Sequence, residues 1–132
     1  MAMTLEQVRQ GIIGRMQSFT GIDQTRIQYP NAPDFKVPKD GLWCRLSIMG
    51  GTSIISGVAD QPCTRRTGNI MIQCFARPRT GEKAITELSD ALLAHFEYFN
   101  VDHLECLQGQ SINAGKDRDF IQYNVSIGYK VN

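Results

Sequence analysis

The chain has 132 residues, 42% of them hydrophobic, and its 14 lysines and arginines nearly cancel 13 acids, for a formal net charge of +1. That is enough chain for one domain with a real core and too little for two, so residues 1–132 are expected to form a single domain. The balance excludes the strongly basic profile of a general nucleic-acid binder. No run of about 18 apolar residues is present to make a transmembrane helix, and no membrane partner is expected.

The start, Met1-Ala2-Met3-Thr4-Leu5-Glu6, lacks the basic lead and apolar core of a signal peptide, which predicts a soluble protein made in a cytoplasm. The four cysteines, Cys44, Cys63, Cys74 and Cys106, contain no C-x-x-C pair, so neither a zinc nor a redox motif is expected. Structural thiols are the expectation, with Cys44 and Cys74 on the apolar sides of strands. A reducing compartment argues against a disulfide.

Thr4-x-x-Gln7 matches a capping box and opens the first helix. Leu5, Val8, Ile12, Met16 and Phe19 then recur at helical spacing as one apolar stripe. Gly11 and Gly14 lie off that stripe. They weaken the helix by about 1 kcal/mol each relative to alanine, which reads first as a weak helix held by tertiary packing and second, with Ser18, as a small-residue strip admitting a neighbouring backbone. Gly21 is a natural stop. Residues 22–41 read as an arm, with a short strand at 25–29 and then Pro30, Pro33 and Pro38, which favour extended backbone. The arm is either functional or a connector wrapping the sheet edge.

A strand over 42–49 puts Leu42, Cys44, Leu46 and Ile48 on one side and Trp43, Arg45, Ser47 and Met49 on the other. Gly50-Gly51 reads as a hairpin turn. A short strand at 53–58 and an arginine-bearing loop, Cys63-Thr64-Arg65-Arg66-Thr67-Gly68, follow. The strand at 69–77 should return antiparallel, with Ile70, Ile72, Cys74 and Ala76 on its apolar face. Thr80 reads as the N-cap of a second helix bearing Ile85, Leu88, Leu92, Phe96 and Phe99. Lys83 and Glu87 can pair at i,i+4 on its outer side. The last third reads as a long hairpin: a first arm at 104–112, a polar loop at 113–119, and a second arm alternating Ile121, Tyr123, Val125, Ile127, Tyr129 and Val131 with polar residues. The fold class is α+β: an antiparallel (mixed) β-sheet with two amphipathic helices on one face.

No convergent catalytic set emerges. His95 borders the second helix's stripe and His103 precedes a strand; neither has a partner at ligand spacing, so capping or border roles are expected. Gly50-Gly51-Thr52-Ser53 lacks the Lys-Ser/Thr ending of a phosphate loop. Charge is more informative. Arg65, Arg66, Arg77 and Arg79 gather around one expected hairpin, whereas 82–105 is acidic, with Glu87 and Asp90 on the helix. Each group reads first as a solvated face. Together they allow a head-to-tail contact between copies that could close a ring. The candidate interface residues are Arg65, Arg66, Arg77, Arg79, Glu87, Asp90, and Lys116 and Arg118 of the 113–119 loop.

Four segments then carry a resemblance: Ile27-Gln28-Tyr29-Pro30-Asn31-Ala32-Pro33-Asp34-Phe35; Gly41-Leu42-Trp43-Cys44-Arg45-Leu46; Thr67-Gly68-Asn69-Ile70-Met71-Ile72-Gln73-Cys74-Phe75; and Thr80-Gly81-Glu82-Lys83-Ala84. Their order, across nearly the whole chain, resembles the tail-terminator (tail-completion) proteins of long-tailed bacteriophages, the protein-U-like group. The arm departs from that family in carrying Asp34 between Pro33 and Phe35. The resemblance implies a tail-tube-like fold and a hexameric ring at the head-proximal end of the tail tube. Such a ring ends tube growth and offers a surface for head–tail joining. Its implied partners are further copies of the chain, the tail-tube protein and the head–tail connector protein, with DNA passing through the lumen without specific binding. It implies a virion location after synthesis in the bacterial host cytoplasm, and neither catalytic residues nor a cofactor. A connector or tube subunit of the same machinery, a small thiol enzyme or hydrolase, and a host adaptor module are the alternatives.

Overall fold

The computed structural model describes residues 4–31, 35–55, 64–116 and 119–132, with backbone alone at 51–55, 64 and 65. Helix α1 (Leu5–Gln17) leads through a 3-10 turn (Gln24–Arg26) to β1 (Ile27–Gln28). Then come β2 (Trp43–Ile55), β3 (Thr64–Ala76), α2 (Lys83–Phe96), β4 (Asn100–Val101), β5 (Leu104–Lys116) and β6 (Ile121–Val131). The strands form one mixed sheet in the order β1-β2-β3-β6-β5-β4. Only the β1–β2 pairing is parallel. The fold is α+β, as the alternation of strand and helix periods predicts.

Period-2 patterning decides which sheet face is buried. Cys44 and Leu46 of β2, Ile70, Ile72, Cys74 and Ala76 of β3, and Val125, Ile127, Tyr129 and Val131 of β6 share the core. They meet Val8, Ile12 and Met16 of α1 and Ile85, Leu88, Leu92 and Phe96 of α2. Each fully buried aliphatic or aromatic side chain contributes about 1.5–3 kcal/mol. Both arms of the capping box form: the Gln7 amide donates to Thr4 Oγ1 (3.1 Å) and the Thr4 amide to Gln7 Oε1 (2.8 Å). Gly11 has a packing reason, since a Cβ there would stand 3.1 Å from Val101 Cγ1 and 3.3 Å from Leu104 Cδ2. At Gly14 a Cβ would meet nothing.

Several boundaries differ from the sequence reading, each for a local reason. Gly50-Gly51 is not a turn. It lies inside β2, where the register shifts between Gly50 and Ser53 and one extra residue is absorbed as a bulge. The arginine-bearing loop is strand from Thr64 onward; Cys63 and residues 56–58 of the expected short strand lie outside the described residues. The expected strand at 25–29 is a 3-10 turn followed by only Ile27 and Gln28 in the sheet. The second helix begins at Lys83 rather than after Thr80, whose hydroxyl instead donates to the Arg77 carbonyl (2.7 Å). Phe99 falls beyond that helix because Tyr98 turns left-handed (φ 61°) after Glu97. The 113–119 loop shortens, since β5 runs to Lys116 past a register shift between Asn113 and Gly115 (φ 98°). Leu5 heads the α1 stripe yet is 72% exposed.

Candidate interaction surfaces

The charged candidates do not assemble as the sequence suggests. Once residues 64–76 are one strand, Arg66 and Arg77 sit at opposite ends of it. Eleven strand steps separate them by roughly 35 Å. There is therefore no single basic hairpin. Arg65 and Arg66 belong to the β3 end that pairs with Val131, and Arg79 is exposed in a left-handed turn (φ 66°). Arg77 is engaged locally: its guanidinium donates to the Pro38 carbonyl and stacks 4.7 Å from the Phe120 ring centroid. Glu87 and Asp90 are exposed on α2, with Glu87 4.0 Å from Lys83 as the i,i+4 spacing predicts. Lys116 is exposed at the end of β5, and Arg118 lies outside the described residues.

The sheet face away from the helices was expected to be wet, and most of it is. Asn69, Gln73, Gln110, Asn124 and Ser126 line it with neutral amides and a hydroxyl, and Ser126 donates to Asn69 Oδ1 (2.9 Å). Its described charges are Arg45 and the Lys130–Glu105 ion pair (3.1 Å). Asn69, Gln108, Gln110 and Ser126 surround an open depression of about 420 Å³.

One end of this face is not wet. Trp43 and Phe75, register partners on β2 and β3, stack at 4.1 Å and are 2% and 8% exposed. Phe120 meets both edge-on at 5.6 and 5.7 Å, and Phe35 of the arm closes on Trp43 at 5.6 Å. Arg45 lies over both stacked rings. Two further bonds pin the arm: Arg26 donates to the Asp40 and Leu42 carbonyls at 2.7 and 3.2 Å. The arm thus runs along the sheet edge at Ile27 and Gln28 and, from Phe35, closes on a second, aromatic core. Among the described residues, Trp43 Nε1 and Arg77 Nε are buried there without a hydrogen-bond partner.

An apolar groove of about 480 Å³ opens between the start of α1 and the β1–β2 edge. Leu5, Val8, Pro30, Ile48 and Tyr129 line it, with Glu6 and Arg9 at its rim. A smaller depression beside it adds Arg66, Thr67 and Val131. Sequence reading missed this groove. Its one signal was Leu5, which continues the apolar stripe into the first helical turn and stays 72% exposed.

The remaining reactive groups are structural in geometry. Burial pushes the Cys74 thiol up to about 12 and the Cys106 thiol up to about 11, and raises Cys44 further. A nucleophile needs the opposite shift. All three thiols are free and buried, as expected for Cys44 and Cys74. His95 bridges the two helices through the Arg15 carbonyl (2.7 Å). Among the described residues no three metal-ligating side chains converge, and no helix is long and apolar enough to cross a membrane.

No protein-family model and no curated protein matches this sequence. Its fold is similar to that of a solved protein whose name carries no functional term, with 16% identity, a TM-score of 0.75, and coverage of 98% of this chain and 96% of that chain. At that identity the likeness is one of fold.

Proposed function

We propose that this chain is a structural subunit of a phage tail, forming a ring, hexameric on the family pattern, at the head-proximal end of the tail tube. There it ends tube polymerisation and provides the surface for head–tail joining. The observation that carries the reading is the ordered run of tail-terminator-like segments over nearly the whole chain. Those segments fall on the arm, the starts of β2 and α2, and β3. The neutral outer sheet face supports it, because amides and hydroxyls can face a sliding phosphate backbone without the ion pairs that would hold it. The partners in this reading are further copies of the chain, the tube protein and the connector.

The test has two parts. Native mass measurement and electron microscopy of the full chain, alone and with tail tubes, should give a sixfold ring at tube ends. A chain that stays monomeric and never binds tubes would sink the proposal. In particles lacking the protein, overlong headless tails are the expected result, and normal-length tails that fail to join heads would reassign it as a connector.

A further inference from the structure

We infer that the ring contact is a tyrosine knob in an apolar groove: Tyr98 of one copy seats in the groove between α1 and β2 of the next. The inference rests on the ring-forming reading and gives it a surface.

The knob is built and rigid. Tyr98 is 68% exposed and held at φ 61°, a conformation that an aromatic residue seldom adopts. Its neighbour fixes it. The Phe99 amide donates to the Phe96 carbonyl (3.1 Å), the Phe99 carbonyl accepts from the Cys106 amide (2.8 Å), and Arg15 stacks 4.5 Å over the Phe99 ring. With Phe99 turned inward, the chain reversal turns Tyr98 outward at no further cost in order.

Knob and groove lie at the same level of one sheet, the knob beside the β4 edge and the groove over the half that holds β2. A single row of paired residues crosses the sheet from Ser53 through Arg66, Val131 and Leu104 to Val101. The groove and the depression beside it lie over that row and its neighbour from β2 to β6, through Gly50, Tyr129 and Val131. Tyr98 stands just before β4 at the other end. Two copies placed side by side in the same orientation therefore bring one copy's Tyr98 to the next copy's groove. Such a contact is heterologous and repeats until it closes.

Charge agrees with this pairing. Arg66 stands in the depression beside the groove, where Arg9 is already paired with Glu6 (2.5 Å), while exposed Asp102 and partly buried Glu97 flank Tyr98. The groove's 480 Å³ exceeds a tyrosine side chain, and an aromatic anchor in an apolar pocket is the usual energetic centre of an interface.

The test uses the full chain and two exposed positions, so that loss of assembly is not loss of folding. Leu5→Asp and Tyr98→Asp should each abolish the ring, with circular dichroism and melting unchanged. Mixing the two variants should give a heterodimer and nothing larger, because one intact knob and one intact groove make a single contact. Tyr98→Gly should also lose the ring while melting no lower, since glycine accepts the left-handed turn. Rings that persist in Leu5→Asp and Tyr98→Asp would overturn the inference and leave the ring reading standing. A wild-type chain that is monomeric even on tubes would overturn both.

Discussion

Arg15 and His95 hold each other's backbone. Arg15 Nε donates to the His95 carbonyl (2.8 Å) and His95 Nε2 donates to the Arg15 carbonyl (2.7 Å), joining the last turns of α1 and α2. Each bond runs from a side chain to the main chain, so deleting one side chain leaves the other bond's partner in place. Arg15→Ala should cost about 2 kcal/mol, one hydrogen bond plus the stacking on Phe99, and His95→Ala about 1 kcal/mol. A double-mutant cycle in urea should return a coupling below about 0.5 kcal/mol. A larger coupling would mean that the pair acts as one network.

The helices' buried stripes, the two central strand pairs and the capping box were legible because each rests on a local period or a four-residue pattern. What failed needed tertiary information. Gly50-Gly51 has the composition of a turn, and only the pairing of Gly50 with Gly68 and of Ser53 with Arg66 turns it into a bulge. The arginine cluster was close in sequence around an expected hairpin and is far apart along a straight strand. Trp43 and Phe75 alternate onto the face assigned to water, and they are dry because two distant rings, Phe35 and Phe120, pack against them. The groove at Leu5 could be found only after folding left one member of an apolar stripe uncovered.

Gly68 and Gly50 are register partners with opposite tolerance. A Cβ at Gly68 would stand 2.4 Å from the Tyr129 hydroxyl and 2.6 Å from the Met49 carbonyl oxygen, whereas at Gly50 it would meet nothing within 4 Å. The Tyr129 ring borders the open groove, but the Met49 carbonyl is main chain and cannot give way without disturbing the β2–β3 pairing. Gly68→Ala should destabilise the fold by about 2–3 kcal/mol. Gly50→Ala should change stability by less than about 0.5 kcal/mol. Thermal melts of the two variants decide this, and equal melting temperatures would contradict the packing described.

The three described thiols make the fold sensitive to alkali. In the unfolded chain a thiol ionises near pH 8.5; in the folded chain burial delays ionisation to about 11 for Cys106, about 12 for Cys74 and higher for Cys44. Between those limits the native state holds protons that the unfolded state has released, so stability falls as pH rises. The loss approaches about 1.4 kcal/mol per pH unit for each thiol. Urea midpoints measured from pH 8 to 10 should decline, and Cys106→Ala should flatten the slope by about one third above pH 9. Below about pH 7 the thiols should contribute almost no pH dependence.

Trp43 is the sole tryptophan in the chain, so its emission reports on the arm alone. With 2% exposure and rings of Phe35, Phe75 and Phe120 around it, native emission should be blue-shifted and poorly quenched by acrylamide. Phe35→Ala removes the arm's ring and should red-shift the emission and raise quenching severalfold. The helix-side core is untouched by that change, so far-UV circular dichroism should hold and the stability cost should stay near 1–2 kcal/mol, about that of one aromatic contact with its buried area. Arg77→Met tests the other clasp, since it removes the bond to the Pro38 carbonyl while keeping an apolar stem beside Phe120. It also removes the buried Arg77 Nε, which has no partner among the described residues, and this offsets part of the lost bond. The arm should therefore loosen in fluorescence with a smaller loss of stability than Phe35→Ala. If Arg77→Met instead left Trp43 quenching unchanged, the arm would be held by ring packing alone.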